Sequence, residues 1–180
     1  IGFRKIKRNI KLMKNILQEI VNYKKIEIEK SKKMISVEIL NKKIKSLSKP
    51  LKFLDELRNK NEARKAGIIA EVKKASPSKG IIKKDFNHIE IAKEYEKGGA
   101  ACLSILTDTP SFQGSPQYLK DIRRNTKLPI LRKDFIIDTY QIIESRSWGT
   151  DCILLIMKIL KNKELSKLIN ICNEMNMDIL

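Results

Sequence analysis

Short apolar segments alternate with amphipathic ones through the larger part of the chain, and this alternation restricts the possible folds most strongly. The apolar segments start near residues 68, 102, 130, 152 and 177, and each has the length of a buried strand. The segments between them carry apolar residues at helical spacing. Strands that alternate with helices are typical of βαβ units, so the sequence predicts an α/β fold with a parallel sheet.

Local signals mark where the helices begin and end. Asn87 is a suitable N-cap with Glu90 three residues later, and Gly98-Gly99 ends the same helix. Further helices are predicted over 115–125, 139–148 and 165–175. The N-terminal third is also helical in pattern, with a break at Pro50. These signals predict an N-terminal helical extension followed by about four and a half βα units.

Two parallel architectures fit this alternation. A doubly wound sheet often carries a glycine-rich phosphate turn after its first strand, but the turn at 74–80 lacks the GxGxxG pattern. Charged residues instead end the first and third strands, where a (β/α)8 TIM barrel carries its chemistry. We therefore expect the first half of a TIM barrel in residues 67–180 and a helical segment in residues 13–66. Met13 is a candidate native start, which makes residues 1–12 a basic extension.

The formal net charge of +17 is also typical of a different functional class, that of non-catalytic basic proteins that bind nucleic acid. Residues 1–66 carry a net charge of +13, against +4 in residues 67–180. The basic part is also rich in Ile and Asn, which indicates a compositional bias of the source genome, and it lacks interleaved aromatic residues. We therefore expect no nucleic-acid partner and keep this class as an alternative.

The cysteine pattern indicates a reducing compartment. Cys102, Cys152 and Cys172 are odd in number and have no paired spacing, which argues against a disulfide framework. They fall in or beside predicted buried segments, so we expect small core residues. A zinc site is not predicted because no CxxC or Cys/His cluster occurs. No apolar run has the roughly 18 residues that span a bilayer, so a cytoplasmic protein without a membrane partner is expected.

Three charged residues are the candidates for chemistry. Glu71 and Lys73 are two positions apart on the first strand, so their side chains share one face. Burial of opposite charges is costly unless they face a cleft, which leaves a catalytic or anion-binding pair and a structural ion pair as alternatives. Lys133 ends the third strand directly before Asp134. Lys133 is either a general acid or one half of a solvated pair with Asp134.

Four motifs resemble the indole-3-glycerol phosphate synthase family. They are IAEVKKASPSKG at 69–80, SILTD at 104–108 with FQGS at 112–115, LPILRKDFI at 128–136 with YQI at 140–142, and GTDCILLI at 149–156. The motifs are long and correctly ordered, and the resemblance runs from about Met13 to Leu180. Residues 15–30 are similar to the family's N-terminal helix, which implies that the segment 13–66 covers the barrel mouth.

The resemblance implies a carbon–carbon lyase of tryptophan biosynthesis. The family converts 1-(2-carboxyphenylamino)-1-deoxyribulose 5-phosphate into indole-3-glycerol phosphate by ring closure with loss of carbon dioxide and water, and it uses no metal and no organic cofactor. The implied partner is a small anionic substrate with a carboxylate and a phosphate, which suits cationic groups at a barrel mouth. A barrel enzyme of the phosphoribosylanthranilate isomerase type is the alternative, and the motifs at 73–78 and 131–135 argue against it.

The same resemblance implies catalytic roles for the three charged residues. Lys133 would be the general acid that protonates the substrate ketone during ring closure. Lys73 would bind the anthranilate carboxylate and take part in the later proton transfer. Glu71 would orient the lysines and contact the reacting centre.

The resemblance also implies substrate contacts. Ser76 would lie in a loop that helps bind phosphate, while Phe112 and Leu154 would form part of the apolar pocket around the aromatic ring. The family has further groups after later strands: a glutamate, an asparagine and the main phosphate loops. These 180 residues stop before them, so we expect little or no activity from this chain alone. The full-length enzyme is expected to be monomeric or fused to other tryptophan-pathway domains.

Overall fold

Five parallel strands form one sheet in the computed structural model, which describes the backbone of residues 2–180 and the side chains of residues 16–180. They are β1 (Ile69–Val72), β2 (Cys102–Leu106), β3 (Ile130–Lys133), β4 (Cys152–Ile153) and β5 (Asp178–Ile179). The strands lie side by side in chain order, as in a TIM barrel and unlike a doubly wound sheet. The predicted α/β fold, with the first part of a barrel, is therefore confirmed.

Helices precede the sheet and connect its strands. They are α1 (Gly2–Met34), α2 (Val37–Lys45), α3 (Phe53–Glu62), α4 (His88–Lys97), α5 (Thr109–Phe112), α6 (Pro116–Asn125), α7 (Thr139–Ser147) and α8 (Asn162–Glu174). The N-cap prediction for α4 is confirmed, because Asn87 Oδ1 accepts hydrogen bonds from the backbone amides of Ile89 and Glu90 at 3.1 and 3.2 Å. The predicted helices of the barrel region lie within three residues of their expected ends.

The strand register separates an inner face of the sheet from an outer one. Glu71 lies opposite Ser104, Ser104 opposite Leu131, and Leu131 opposite Cys152. Because side chains alternate along a strand, this row shares the inner face. The residues between, such as Ile105, point outward into an apolar core shared with α4 and α6. The helices therefore cover the outer face, and the polar residues of the inner face are left for the barrel interior.

Helix α3 packs against the amino ends of the strands. Phe53, its first residue, is fully buried in one cluster with Cys102 and Cys152. The backbone amide of Leu54 donates to Asp178 Oδ2 at 3.1 Å, at the start of β5. Helix α3 therefore closes the edge of the sheet opposite to the one where Lys73 and Lys133 lie.

The prediction that the whole segment 13–66 covers the barrel mouth needs a correction. Helix α1 reaches the carboxyl edge, where Lys24 contacts Asp108 beyond β2, and α2 packs against α7. Helix α3 lies at the amino edge instead, because the ring of Phe53 fills the inner space there. The domain boundary near residue 67 stays a prediction, and the predicted basic extension 1–12 lies outside the residues whose side chains are described.

Two short elements were not predicted from the sequence, one in the turn at 74–80 and one after β2. Ala75–Ser76 pairs antiparallel with Gly80–Ile81, and Gly80 adopts a left-handed backbone conformation. The segment after β2 contains the short helix α5. Gly114, just beyond α5, lies so close to the end of β2 that a Cβ there would be 2.5 Å from the carbonyl oxygen of Leu106. Turn residues alone do not distinguish such short elements from irregular loops.

The three cysteines are free and buried, as predicted for core residues. Burial raises the pKa of the Cys102 and Cys172 thiols to about 12. Such thiols stay protonated at neutral pH and act as small apolar groups.

We predict that Phe53→Ala destabilises the full-length protein by about 3–5 kcal/mol, because it leaves a cavity among the inner residues. Ile39→Ala on the exposed surface of α2 is the control, with an expected change below about 0.5 kcal/mol. Urea unfolding curves measure both values. A loss below about 1 kcal/mol for Phe53→Ala would mean that α3 does not close the sheet in solution.

Candidate active site

One carboxylate holds two lysines at the carboxyl edge of the sheet. Lys73 Nζ donates to Glu71 Oε2 at 2.6 Å, and Lys133 Nζ donates to Glu71 Oε1 at 2.9 Å. Each oxygen of Glu71 thus has its own ammonium partner. The structure brings together the three residues that the sequence singled out for chemistry.

The parallel register explains this meeting across 62 positions of sequence. Glu71 on β1 lies opposite Ser104 on β2, and Lys133 on β3 lies opposite Leu106, two residues farther along β2. Glu71 and Lys133 therefore flank β2 on the inner face in adjacent rows. Lys73 follows the end of β1 on the same face as Glu71, so all three charged groups converge at one edge.

The three side chains are partly open to solvent, with 29% of Glu71, 30% of Lys73 and 36% of Lys133 exposed. Burial by itself would raise the pKa of Glu71, but the hydrogen bonds from Lys73 and Lys133 outweigh this effect and lower its pKa below the ordinary value. Glu71 is therefore ionised at neutral pH. One negative and two positive groups leave a net positive, accessible site that attracts an anion and can supply a proton.

Asp134 belongs to a separate, buried cluster. Its carboxylate contacts Lys24 Nζ at 2.9 Å, Arg132 Nη2 at 3.0 Å and Thr107 Oγ1 at 2.6 Å. Consecutive residues at the end of a strand point to opposite faces, so Asp134 points away from Lys133. The alternative of a solvated Lys133–Asp134 pair is therefore wrong.

Ser76 lies in the short hairpin that follows β1. Its hydroxyl accepts a hydrogen bond from the backbone amide of Lys79 at 3.3 Å, and the side chain is partly exposed. The structure places Ser76 in the loop expected beyond Glu71 and Lys73. Its contact with phosphate stays a prediction.

Apolar side chains also follow the carboxyl ends of β2, β3 and β4. The ring of Phe112, at the end of α5, lies 6.4 Å from the ring of Phe135, measured between centroids. Leu154 follows β4 and packs against the inner cluster that contains Leu131. Sequence reasoning missed Phe135, although an aromatic residue two positions after Lys133 was a usable signal.

Sequence reasoning also missed Lys24. It is 3% exposed, and its ammonium group lies between two buried carboxylates, Asp108 and Asp134. No local signal separates Lys24 from the other lysines of α1, since its burial depends on residues more than 80 positions away.

Among the side chains of residues 16–180, no group of three or more His, Cys, Asp or Glu residues is arranged to hold a metal ion. No helix within the described part of the chain is long and apolar enough to cross a membrane.

Comparison with known proteins identifies one family. Its sequence profile, described as indole-3-glycerol phosphate synthase, matches residues 17–180. A relative from Neisseria meningitidis serogroup B with that name is 44% identical over 168 residues, which cover 93% of this chain and 65% of the relative. A relative of the same name from Prochlorococcus marinus subsp. pastoris is 50% identical over 93% of this chain and 56% of its own length. The chain thus spans 56–65% of the length of these relatives.

The buried cluster makes a prediction for stability at acid pH. Burial alone would raise the pKa of Asp134, but the charges of Arg132 and Lys24 outweigh it and lower the pKa to about 2. A carboxyl group with a lowered pKa stabilises the fold at pH values above its unfolded pKa of about 4 and loses that contribution as the pH falls toward 2. We expect Asp134 to account for about 2 kcal/mol of the free energy of unfolding lost between pH 5 and pH 2.

Urea unfolding at a series of pH values checks this expectation. Asp134→Asn is expected to be less stable at pH 7, since Lys24 and Arg132 lose a buried partner, and to lose less stability on acidification. Asp55→Asn, on the exposed surface of α3, is the control. Equal acid slopes for wild type and Asp134→Asn would contradict the assignment.

Proposed function

The chain belongs to the indole-3-glycerol phosphate synthase family, and we propose that the full-length protein converts 1-(2-carboxyphenylamino)-1-deoxyribulose 5-phosphate into indole-3-glycerol phosphate, carbon dioxide and water. The observation that carries this proposal is the pair of lysines on Glu71 at the carboxyl edge of the sheet. The substrate bears a carboxylate and a phosphate, which a net positive site attracts. Family membership favours this reaction over the isomerase and nucleic-acid alternatives.

Lys133 acts as the general acid in ring closure. A carbon of the substrate's aromatic ring attacks the ketone carbon, and Lys133 donates a proton to the ketone oxygen, which becomes a hydroxyl group. The ammonium group is already held toward the inner face by Glu71 at 2.9 Å. Because 36% of the side chain is exposed, the donor remains accessible to a bound ketone.

Lys73 binds the carboxylate that leaves as carbon dioxide. Its ammonium group lies on the other oxygen of Glu71, so a carboxylate ligand can take up one side of this charge while Glu71 holds the other. Loss of carbon dioxide leaves the bonding electrons with the ring system. The new hydroxyl then takes up a proton and leaves as water, while the adjacent carbon gives up a proton, which forms the double bond of the indole. Lys73 takes part in this later proton transfer, and Glu71 orients both lysines.

Apolar residues bind the aromatic part of the substrate. The rings of Phe112 and Phe135 and the side chain of Leu154 supply an apolar wall beside the charged trio. An apolar wall also keeps water from the carboxylate, which favours decarboxylation. Ser76, in the hairpin after β1, contributes to phosphate binding.

The proposal concerns the full-length protein. The chain covers 56–65% of the length of the curated relatives, and an eight-stranded barrel places its main phosphate site after the seventh and eighth strands. We therefore expect little or no turnover from residues 1–180 alone. An assay that follows the ultraviolet absorbance of the indole product tests both statements. The proposed function fails if the full-length protein, correctly folded, gives no product from this substrate.

We predict that Lys133→Met lowers kcat of the full-length enzyme about 10²- to 10⁴-fold, the usual contribution of a general acid. Methionine keeps most of the unbranched side chain and removes the proton donor. Lys127→Met is the matched control, because Lys127 is exposed just before β3 at the opposite edge of the sheet. Steady-state kinetics give kcat and KM for each variant. Near wild-type turnover in Lys133→Met would refute the role of general acid.

A further inference from the structure

Lys24 connects helix α1 to two separate loops at the carboxyl edge of the sheet. Its ammonium group lies 2.7 Å from Asp108 Oδ1 and 2.9 Å from Asp134 Oδ1, and it also bonds Glu27 at 2.8 Å. Both aspartates are buried, and Lys24 itself is 3% exposed. One side chain thus neutralises carboxylates that lie 84 and 110 residues farther along the chain.

Each of these aspartates fixes the backbone of a segment that carries a candidate site residue. Asp108 Oδ2 accepts a hydrogen bond from the backbone amide of Ser111 at 3.0 Å and so caps helix α5, which ends at Phe112. Asp134, the residue after Lys133, accepts a hydrogen bond at Oδ1 from the backbone amide of Phe135 at 2.8 Å. Each aspartate therefore orients the backbone of a segment that carries an aromatic ring.

Each aspartate also has partners of its own, and Lys24 lies between the two carboxylates. Arg132 and Thr107 contact Asp134 on its other oxygen, Oδ2. Tyr23 OH donates to Asp108 Oδ1 at 2.9 Å and lies 3.1 Å from Ser111 Oγ. These partners each contact one aspartate, whereas Lys24 contacts both.

We infer that Lys24 is a positioning residue for the reaction, which holds the segment of Phe112 and the segment of Lys133 and Phe135 in a fixed relative geometry. This inference rests on the proposed function. The rings of Phe112 and Phe135 are 6.4 Å apart and belong to the two segments that Lys24 joins. Without the ammonium group, two carboxylates would face each other in a buried space, and their repulsion would separate the segments.

Three variants of the full-length protein test the inference. Lys24→Met removes the charge and keeps most of the unbranched side chain, and Lys24→Arg keeps the charge. Lys25→Met removes the neighbouring lysine, which is exposed on the same helix, and serves as the control. If Lys24→Met does not fold, Lys24→Gln takes its place under the same criteria.

Amide hydrogen exchange separates positioning from general stabilisation without any need for activity. Lys24→Met is expected to raise the exchange rates of the Ser111 and Phe135 amides at least 10-fold, with Lys24→Arg intermediate and Lys25→Met unchanged. The amides of β2 and α6, which flank the Ser111 segment, and those of β3 and α7, which flank the Phe135 segment, should keep wild-type rates. Unchanged rates at Ser111 and Phe135, or a uniform increase throughout the barrel, would overturn the inference.

Kinetics then connect positioning to the reaction. A displacement of about 1 Å can cost about 10²-fold in rate, so Lys24→Met should lower kcat/KM by 10- to 100-fold at a temperature where it is fully folded, with a raised KM and a lowered kcat. Lys24→Arg should recover part of the loss. A purely structural residue would lower the midpoint of thermal unfolding and leave both constants of the folded enzyme unchanged, which would refute the positioning role.

The two proposals fail in different ways. If wild type, Lys25→Met and Lys24→Met all lack turnover with the substrate, the proposed function is wrong, and local exchange at Ser111 and Phe135 still decides whether Lys24 joins the segments. If wild type and Lys25→Met are active and Lys24→Met matches them in kcat and KM, the proposed function stands and the role of Lys24 is wrong.

Discussion

The parallel register of the first three strands is the constraint on which the candidate site depends. It sets Glu71 opposite Ser104 and Lys133 opposite Leu106, so that residues 62 positions apart share one inner face and one edge. A shift of one residue along β3 would turn Lys133 toward the helices and leave Glu71 with Lys73 alone. The outer apolar core of β1–β3 with α4 and α6 opposes such a shift, because it would expose Ile130 and bury a charged group. Packing on the outer face therefore keeps Glu71 and Lys133 together on the inner face.

Charge is distributed over two clusters that meet at the end of β3. On the inner face, Glu71 and two lysines form a partly exposed group that can exchange partners with a ligand. On the outer side, Asp134 is fully enclosed by Lys24, Arg132 and Thr107, where exchange with solvent groups is costly. The two clusters differ in exposure because side chains alternate along residues 132–134, so that Lys133 faces the inner side and Arg132 and Asp134 the outer side. The exposed cluster is suited to reaction, and the buried one to holding geometry.

Much of this arrangement could be predicted from the sequence, because it depends on local periodicity. Strand ends identified Glu71, Lys73 and Lys133, and the cap at Asn87 located α4. The position of α3 at the amino edge and the burial of Lys24 could not be predicted, since both depend on contacts between distant parts of the chain. The hairpin at 75–81 and helix α5 were missed because turn residues fit loops equally well. The catalytic and binding roles remain predictions from family resemblance for all six site residues: Glu71, Lys73, Ser76, Phe112, Lys133 and Leu154.

A structure of the full-length protein with a substrate analogue, in which the ketone is reduced to an alcohol, tests the central claim most directly. We expect Lys133 Nζ within about 3 Å of the alcohol oxygen. We also expect the analogue's carboxylate to contact Lys73 and its aromatic ring to lie against Phe112 and Phe135. An analogue bound elsewhere, or an alcohol oxygen out of reach of Lys133 while that lysine stays on Glu71, would contradict the assignment of the catalytic centre.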